Sequence, residues 1–204
     1  MIPQPHEWSV EDFAAGEVCL EFTNTVGDHS KTRDLERLID WDALLRWAVA
    51  AGALNATEAQ ELRRIAGRDA AAAKRSLQNL LNFRDLLFRV LSALAAGQKP
   101  AREDLEGVEI AVHGALRCAH LVQQNQSFEW DIRQSESPLK TLLARITLSA
   151  LRLLQSADLA LLRECQRCSW LFIDRSKSHG RRWCRADACG NRARVARHYR
   201  TRSP

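Results

Sequence analysis

The chain has 204 residues, 46% of them apolar, which suits one good-sized domain with a core, alone or with a small module attached. No run of about 18 uncharged apolar residues occurs, so no membrane-spanning helix is expected. The acidic start "MIPQPHEWSVEDF" lacks the basic flank and apolar stretch of a secretory signal, so the expected compartment is cytoplasmic, where thiols stay reduced. The net charge of +5 is unevenly spread: residues 163–204 hold twelve Lys or Arg against Glu164, Asp174 and Asp187, a net +9, while residues 1–162 carry −4. An acidic body with a basic tail implies two functional parts, the second drawn to a polyanion.

The first 160 residues read mostly as helix. In "LIDWDALLRWAVAAGAL", Leu38, Trp41, Leu44, Leu45, Ala48 and Val49 recur at helical spacing, and Gly52 is a stop. Thr57 with Gln60 forms a capping-box pattern for a second helix, which Gly67 is expected to break. Asp69 caps a longer helix that carries Leu77, Leu80, Arg84, Leu87 and Leu91 on one stripe and ends at Gly97 and Pro100. A further helix over residues 101–116 places Leu105, Val108, Val112 and Ala115 together. "RCAHLVQQNQSFEWDIR" breaks this rhythm. Leu121 and Val122 precede a polar "QQNQS", and Phe128, Trp130 and Ile132 alternate after it, which predicts a β-hairpin. Ser137 and Pro138 read as cap and first position of the next helix, with Leu142, Leu143, Ile146, Ala150 and Leu153. "QSADLALLRE" lacks the composition of a free linker, so the tail is expected to dock on the body.

Near the end of the chain, Cys165 and Cys168 form C-x2-C, and Cys184 and Cys189 form C-x4-C, fifteen residues apart. Two close pairs of thiols at this separation suit one tetrahedral Zn2+ per chain in a structural site. A redox C-x2-C would leave the second pair without a role, and the segment is too polar to bury four free thiols otherwise. His179 could replace one cysteine, but its place in a presumed turn favours a solvated ring. "WLFID" reads as a strand, "RSKSHG" as a turn and "RRW" as the return strand. Asp187 then caps a helix from about Ala188 that holds Cys189 in its first turn. Knuckle, hairpin and helix start look like a treble-clef site. The expected fold is therefore α+β and mostly helical. A helical body over residues 1–162 carries one β-hairpin, and a small zinc finger occupies residues 163–204. The body's core is expected to be separate from the finger, so that losing the metal unfolds the tail alone.

"CSWLFIDRSKSHGRRWCRADACGNRARVARHYRTR" resembles the CGNR zinc finger, whose tetrapeptide stands here as Cys189-Gly190-Asn191-Arg192. "CLEFTNTV" and "LIDWDALLRWAVAAGAL" resemble the opening of the domain that precedes the finger in that family, called ABATE, a stress-response or ligand-sensing regulator module. The resemblance covers nearly the whole chain and implies a DNA-binding transcription regulator, associated with the nucleoid.

The arginines carry the same expectation physically. Arg181, Arg182 and Arg185 flank the metal site, and Arg192, Arg194, Arg197, Arg200 and Arg202 follow along the last helix. They spread around the helix rather than forming one stripe, which suits a groove with phosphate on both sides. A solvated Arg-rich surface is the alternative. Arg192 and Asn191 can equally bond within the finger, and Asp174 is an expected internal partner for one arginine. In the body, Asn24 and Thr25 lie between Phe22 and Val26. The preferred reading is that they satisfy backbone groups at an element's end; the alternative is contact with a small-molecule effector in a nearby pocket. Trp41, Trp47 and Trp130 are expected to pack, and Cys19 and Cys118 to be small buried residues. Asp28, His29 and Asp34 could imitate a metal or acid–base set. No G-x-x-x-x-G-K-[ST], H-E-x-x-H or G-x-S-x-G pattern occurs, so no enzyme is expected. Duplex DNA is the leading partner. RNA, with Trp170 or Tyr199 to stack on a base, and an acidic protein are the alternatives, and the body could also form a homodimer.

Overall fold

A computed structural model of the chain describes residues 6–27, 30–132 and 138–200, with the side chains of Arg197 and Arg200 outside the description. Asp28, His29, Ser137 and Arg202 also lie outside it. Seven α-helices and three two-stranded antiparallel sheets occur among the described residues. They run α1 Val18–Thr23, β1 Val26–Gly27, β2 Leu35–Glu36, α2 Trp41–Ala50, α3 Ala56–Arg68, α4 Ala70–Ala95 and α5 Arg102–Leu116. These are followed by β3 Ala119–Gln124, β4 Ser127–Ile132, α6 Pro138–Gln155, β5 Leu162–Glu164, β6 Leu171–Ile173 and α7 Asn191–Arg200. None of these helices is long and apolar enough to cross a membrane.

Local chemistry sets the helix ends. Asp40 caps α2 through Ala43 N–H, and Asp69 caps α4 through Ala72 N–H. The capping box of α3 stands two residues earlier than Thr57 and Gln60 suggest: Asn55 Oδ1 accepts from Glu58 N–H, and the Glu58 carboxylate accepts from Asn55 N–H. Asn55 competes better for the cap, and its box then takes Glu58 as the reciprocal partner. Gly67 does not break α3, which runs on to Arg68, because a single glycine costs a helix only about 1 kcal/mol. The predicted hairpin is present as β3 and β4, turning at Asn125 with φ 55°. Ala119–Ile132, Leu121–Trp130 and Gln123–Phe128 are opposed pairs and share one face. Of these residues Ile132 is buried in the body, while Trp130 is 49% exposed rather than packed, and Phe128 and Leu121 are exposed with it. Trp47 is fully buried against Phe22, as expected. Cys19 is buried, Cys118 is half-buried, and burial pushes the Cys19 thiol up to about 12.

The short α1 is the centre of the molecule. Cys19 through Thr23 are all buried, and the helix packs on α6 and α4. Arg84, on the core stripe of α4, is 3% exposed yet charged. Its guanidinium grips the Glu36 carboxylate at 2.6 and 2.8 Å and donates to Thr25 Oγ1 at 3.1 Å. Burial works against the charge on Glu36, but the two Arg84 bonds outweigh it and hold its carboxyl below the usual carboxylate range. The Glu36 side chain is 38% exposed, so solvent screens the pair, and losing it costs less than losing a fully buried one.

The tail docks on the body, but the two cores are not separate. Leu162, Cys165, Cys168, Trp170, Leu171 and Phe172 belong to one continuous apolar cluster with Leu20, Phe22, Leu87 and Leu91. The reason is that β6 lies against α1. Asn24 donates its side-chain amide to Leu171 C=O and accepts from Leu171 N–H, both at 2.9 Å, while Ile173 N–H reaches Ala15 C=O at 3.0 Å. Glu21 fixes that last contact by accepting from Ala15 N–H at 2.8 Å and Gly16 N–H at 3.2 Å.

Burial pushes the Glu21 carboxyl up to about 7 from an ordinary 4.5, in spite of the two backbone bonds, with the Asp12 carboxylate adding to the rise. The folded chain holds a proton there that the unfolded chain releases near 4.5. This contribution is fully present below about pH 4.5 and is lost as the pH rises through about 7. Glu21→Gln keeps an oxygen acceptor without the charge. It should match the parent protein at pH 4 and exceed it by about 1–3 kcal/mol at pH 8.5 in urea unfolding of the metal-loaded protein. A parent protein more stable than the variant at pH 8.5 would refute this.

Candidate metal centre and its cationic surface

β5 leads into the first cysteine pair and β6 leads out of it, in register Leu162–Ile173 and Glu164–Leu171. The hairpin of the finger is therefore built around the knuckle itself. Arg181–Trp183 is not the return strand, because β6 already has β5 on one edge and the N-terminal segment bonded to it through Ala15. Cys165 N–H closes the knuckle on Trp170 C=O at 2.9 Å, and Gln166 N–H bonds Arg182 C=O at 3.0 Å, which brings the second pair alongside. Asp174, fully buried, organises the intervening turn. Its carboxylate accepts from the Ser176 hydroxyl at 2.6 Å, from Ser176 N–H at 3.1 Å and from Arg181 N–H at 2.9 Å. The expected Asp174–arginine contact exists, but through the backbone. A single π-turn, Ala186–Gly190, holds Cys189 just ahead of α7. Asp187 does not cap that turn. It is exposed and paired with Arg185.

The four thiols converge. Cys165, Cys168, Cys184 and Cys189 are all buried, with every sulfur within 4.8 Å of the others. The Sγ–Sγ separations are 3.7 Å for Cys168–Cys184, 3.6 Å for Cys184–Cys189 and 3.7 Å for Cys189–Cys168. A tetrahedron with arms of about 2.3 Å, the length of a Zn–S bond, has edges of about 3.8 Å, so the cage fits that ion. The protonation of the thiols points the same way. Hydrogen bonds from Cys168, Cys184 and Cys189 push Cys165 far down, while donating to Cys165 pushes Cys168 and Cys184 far up. Shared protons leave Cys165 and Cys189 the easier sulfurs to ionise and Cys168 and Cys184 the harder; a divalent cation lets all four ionise. Two outer donors already address the sulfurs: Arg192 Nη2 at 3.2 Å from Cys189 Sγ, and Arg167 N–H at 3.5 Å from Cys165 Sγ. His179 is exposed at φ 47°, its Nδ1 3.0 Å from Asp174 C=O, and takes no part in the cage.

Residues 16–157 match the ABATE family, described as "putative stress-induced transcription regulator", and residues 162–202 match the CGNR zinc finger. The chain belongs to the ABATE family. None of the curated proteins matches it. The arrangement is the ABATE domain followed by a CGNR finger, and the four-cysteine cage is the metal site of that finger.

The arginines of this ABATE protein divide into two groups. Arg181 is structural. It lies over the Phe172 ring at 4.4 Å and donates to Trp183 C=O at 2.9 Å and to Cys184 C=O. Arg185 is held by Glu11 at 2.7 Å and Asp187 at 2.6 Å, and both bonds favour its charged form. These two are poor candidates for nucleic acid. Arg182 is exposed, bonded only to the neutral Gln166 side chain and set over Trp183, and Arg194 is exposed with a long 3.4 Å bond to Ala186 C=O. Arg192 is exposed while addressing Cys189. Arg197 and Arg200 belong to α7, their side chains outside the description. Two exposed cations, Arg167 and Lys177, were missed. Neither side chain has a carboxylate partner among the described residues. Their signal was position: one stands inside the knuckle, the other in the turn.

Asn24 and Thr25 are both engaged in internal hydrogen bonds. Asn24 binds Leu171, and Thr25 Oγ1 donates to Phe22 C=O at 2.8 Å while accepting from Arg84. Of the two readings, satisfaction of backbone groups is the one the structure supports.

Arg192→Ala should weaken zinc binding about tenfold in competition with a chelating indicator, since outer-shell donors are worth about 10–100-fold. Cys184→Ala should remove the ion outright. Elemental analysis showing no metal in the parent protein, or unchanged content in Cys184→Ala, would contradict the assignment.

Proposed function

We propose that the chain is a zinc-dependent transcription regulator that binds duplex DNA through the exposed cations of its finger, without enzymatic activity. One structural Zn2+ per chain would be held by Cys165, Cys168, Cys184 and Cys189, a closed shell that leaves no position for a catalytic water. The observation that carries the reading is α7. It has ten residues, four of them arginine and none acidic, and no buried side chain among those described. A helix with so little buried surface and so many like charges is stabilised by a polyanion. Arg182, Arg192, Arg194, Arg167 and Lys177 extend the same surface, and the family description favours DNA over other polyanions. The RNA alternative loses one of its stacking groups. Trp170 is buried, and its indole N–H donates to Val26 C=O at 3.3 Å, whereas Tyr199 is 69% exposed.

With about four to six phosphates neutralised, log affinity for duplex DNA should fall against log salt with a slope of roughly −4 to −5. Arg182→Ala and Arg194→Ala should each make it shallower by about one unit. Arg185→Ala should leave the slope unchanged, and Arg181→Ala should lower stability instead. Affinity independent of salt, or a tighter grip on single-stranded RNA or an acidic protein at matched salt, would overturn the DNA reading.

A further inference from the structure

A cavity of about 490 Å³ opens on the side of the body away from the metal, between the first turns of α4, the end of α5, the start of β3 and the first turns of α6. Its size is that of a small-molecule site. Its walls are shared between a second, minor apolar cluster, through Ala115, Ile132 and Ala144, and the edge of the main core, through Ala111, Leu139 and Leu143. The polar part is of one sign. Arg75, Arg117, Lys140 and His120 stand around the cavity, and no Asp or Glu among the described residues lines it, although residues 1–162 as a whole carry −4. The side chains of Arg75, Arg117 and Lys140 have no hydrogen-bond or ion-pair partner among the described residues. Inside, Thr141 is 2% exposed, faces the cavity, and its hydroxyl makes no hydrogen bond to a described residue. That hydroxyl faces the cavity and can donate to a ligand oxygen there.

We infer that this cavity binds a small organic anion with an apolar body, such as an aromatic or short fatty carboxylate. The apolar group would lie on the Ala115–Ile132–Ala144 wall. The carboxylate would face Arg117, Lys140 and Arg75, with Thr141 donating to it. Unlike the Asn24–Thr25 region, where every polar group is engaged, this site has uncommitted cations beside uncommitted apolar surface. The inference does not rest on DNA binding, and either can fail alone.

The test is calorimetric titration of the full-length, metal-loaded protein with 2-naphthoate and with its neutral counterpart 2-naphthalenemethanol. The acid should bind at least about tenfold more tightly, the gain expected of a charge-assisted contact over a neutral one. Arg117→Gln combined with Lys140→Gln should remove most of that margin and leave the alcohol's affinity unchanged. Gly114 gives a blocking control. It lies on the cavity wall, a Cβ built there meets nothing within 4 Å, and replacing glycine favours the helix, so Gly114→Phe starts its side chain in open space at the cavity. It should abolish binding of both probes while keeping the unfolding temperature at or above that of the parent. Absence of naphthoate binding at millimolar concentration, equal affinity for acid and alcohol, or binding that survives Gly114→Phe would each overturn the inference.

Discussion

The side-chain amide of Asn24 does for Leu171 what a neighbouring strand would do, donating to its carbonyl and accepting from its N–H. β6 has only β5 as a true strand partner, so one edge of the knuckle hairpin would otherwise leave buried backbone groups unpaired. Each such group costs about 1–3 kcal/mol when left unsatisfied. One residue of the body thus completes the secondary structure of the finger. Ala15 continues the same edge at Ile173, and Glu21 holds Ala15 in place. A chain of contacts runs from α1 to the strand that leaves Cys168, with no solvent between.

Two consequences follow for the metal. The ion would anchor more than the forty residues around it, because the cysteines share one apolar cluster with Phe22, Leu87 and Leu91. Conversely, a change in α1 or α4 would be felt at the cage through β6 and β5, which pack against α4. Buried Arg84, with its partner Glu36, sits on this route, since it also holds Thr25, the neighbour of Asn24. α7 stands apart from it. The positive surface is carried by an element that leans on the cage and buries none of its described side chains.

The sequence made the helices legible wherever apolar residues recur on one face, and the metal site legible because thiols at such spacings have few other uses. The hairpin declared itself through alternation around "QQNQS". What stayed hidden depends on contacts distant in sequence. Arg181 and Arg182 are adjacent and chemically identical, yet Phe172 and two carbonyls claim the first while the second faces solvent. Nothing local distinguishes them. Asn24 looked like a ligand contact or a backbone cap, and its true partner lies 147 residues away. The separate core was inferred from composition, but charge asymmetry describes surfaces and says nothing about where apolar faces meet. Trp130 failed for the opposite reason: periodicity gives the face of a strand, not how far the body extends beneath it.

The shared core is tested most directly by amide hydrogen exchange before and after a chelator strips the metal from the full-length protein. Protection should fall in β6 and also in Val18–Thr23 and the Leu80–Leu91 stretch of α4, because these pack on the knuckle they help to form. An increase in exchange confined to residues 162–200, with α1 and α4 as protected as before, would contradict a core held in common.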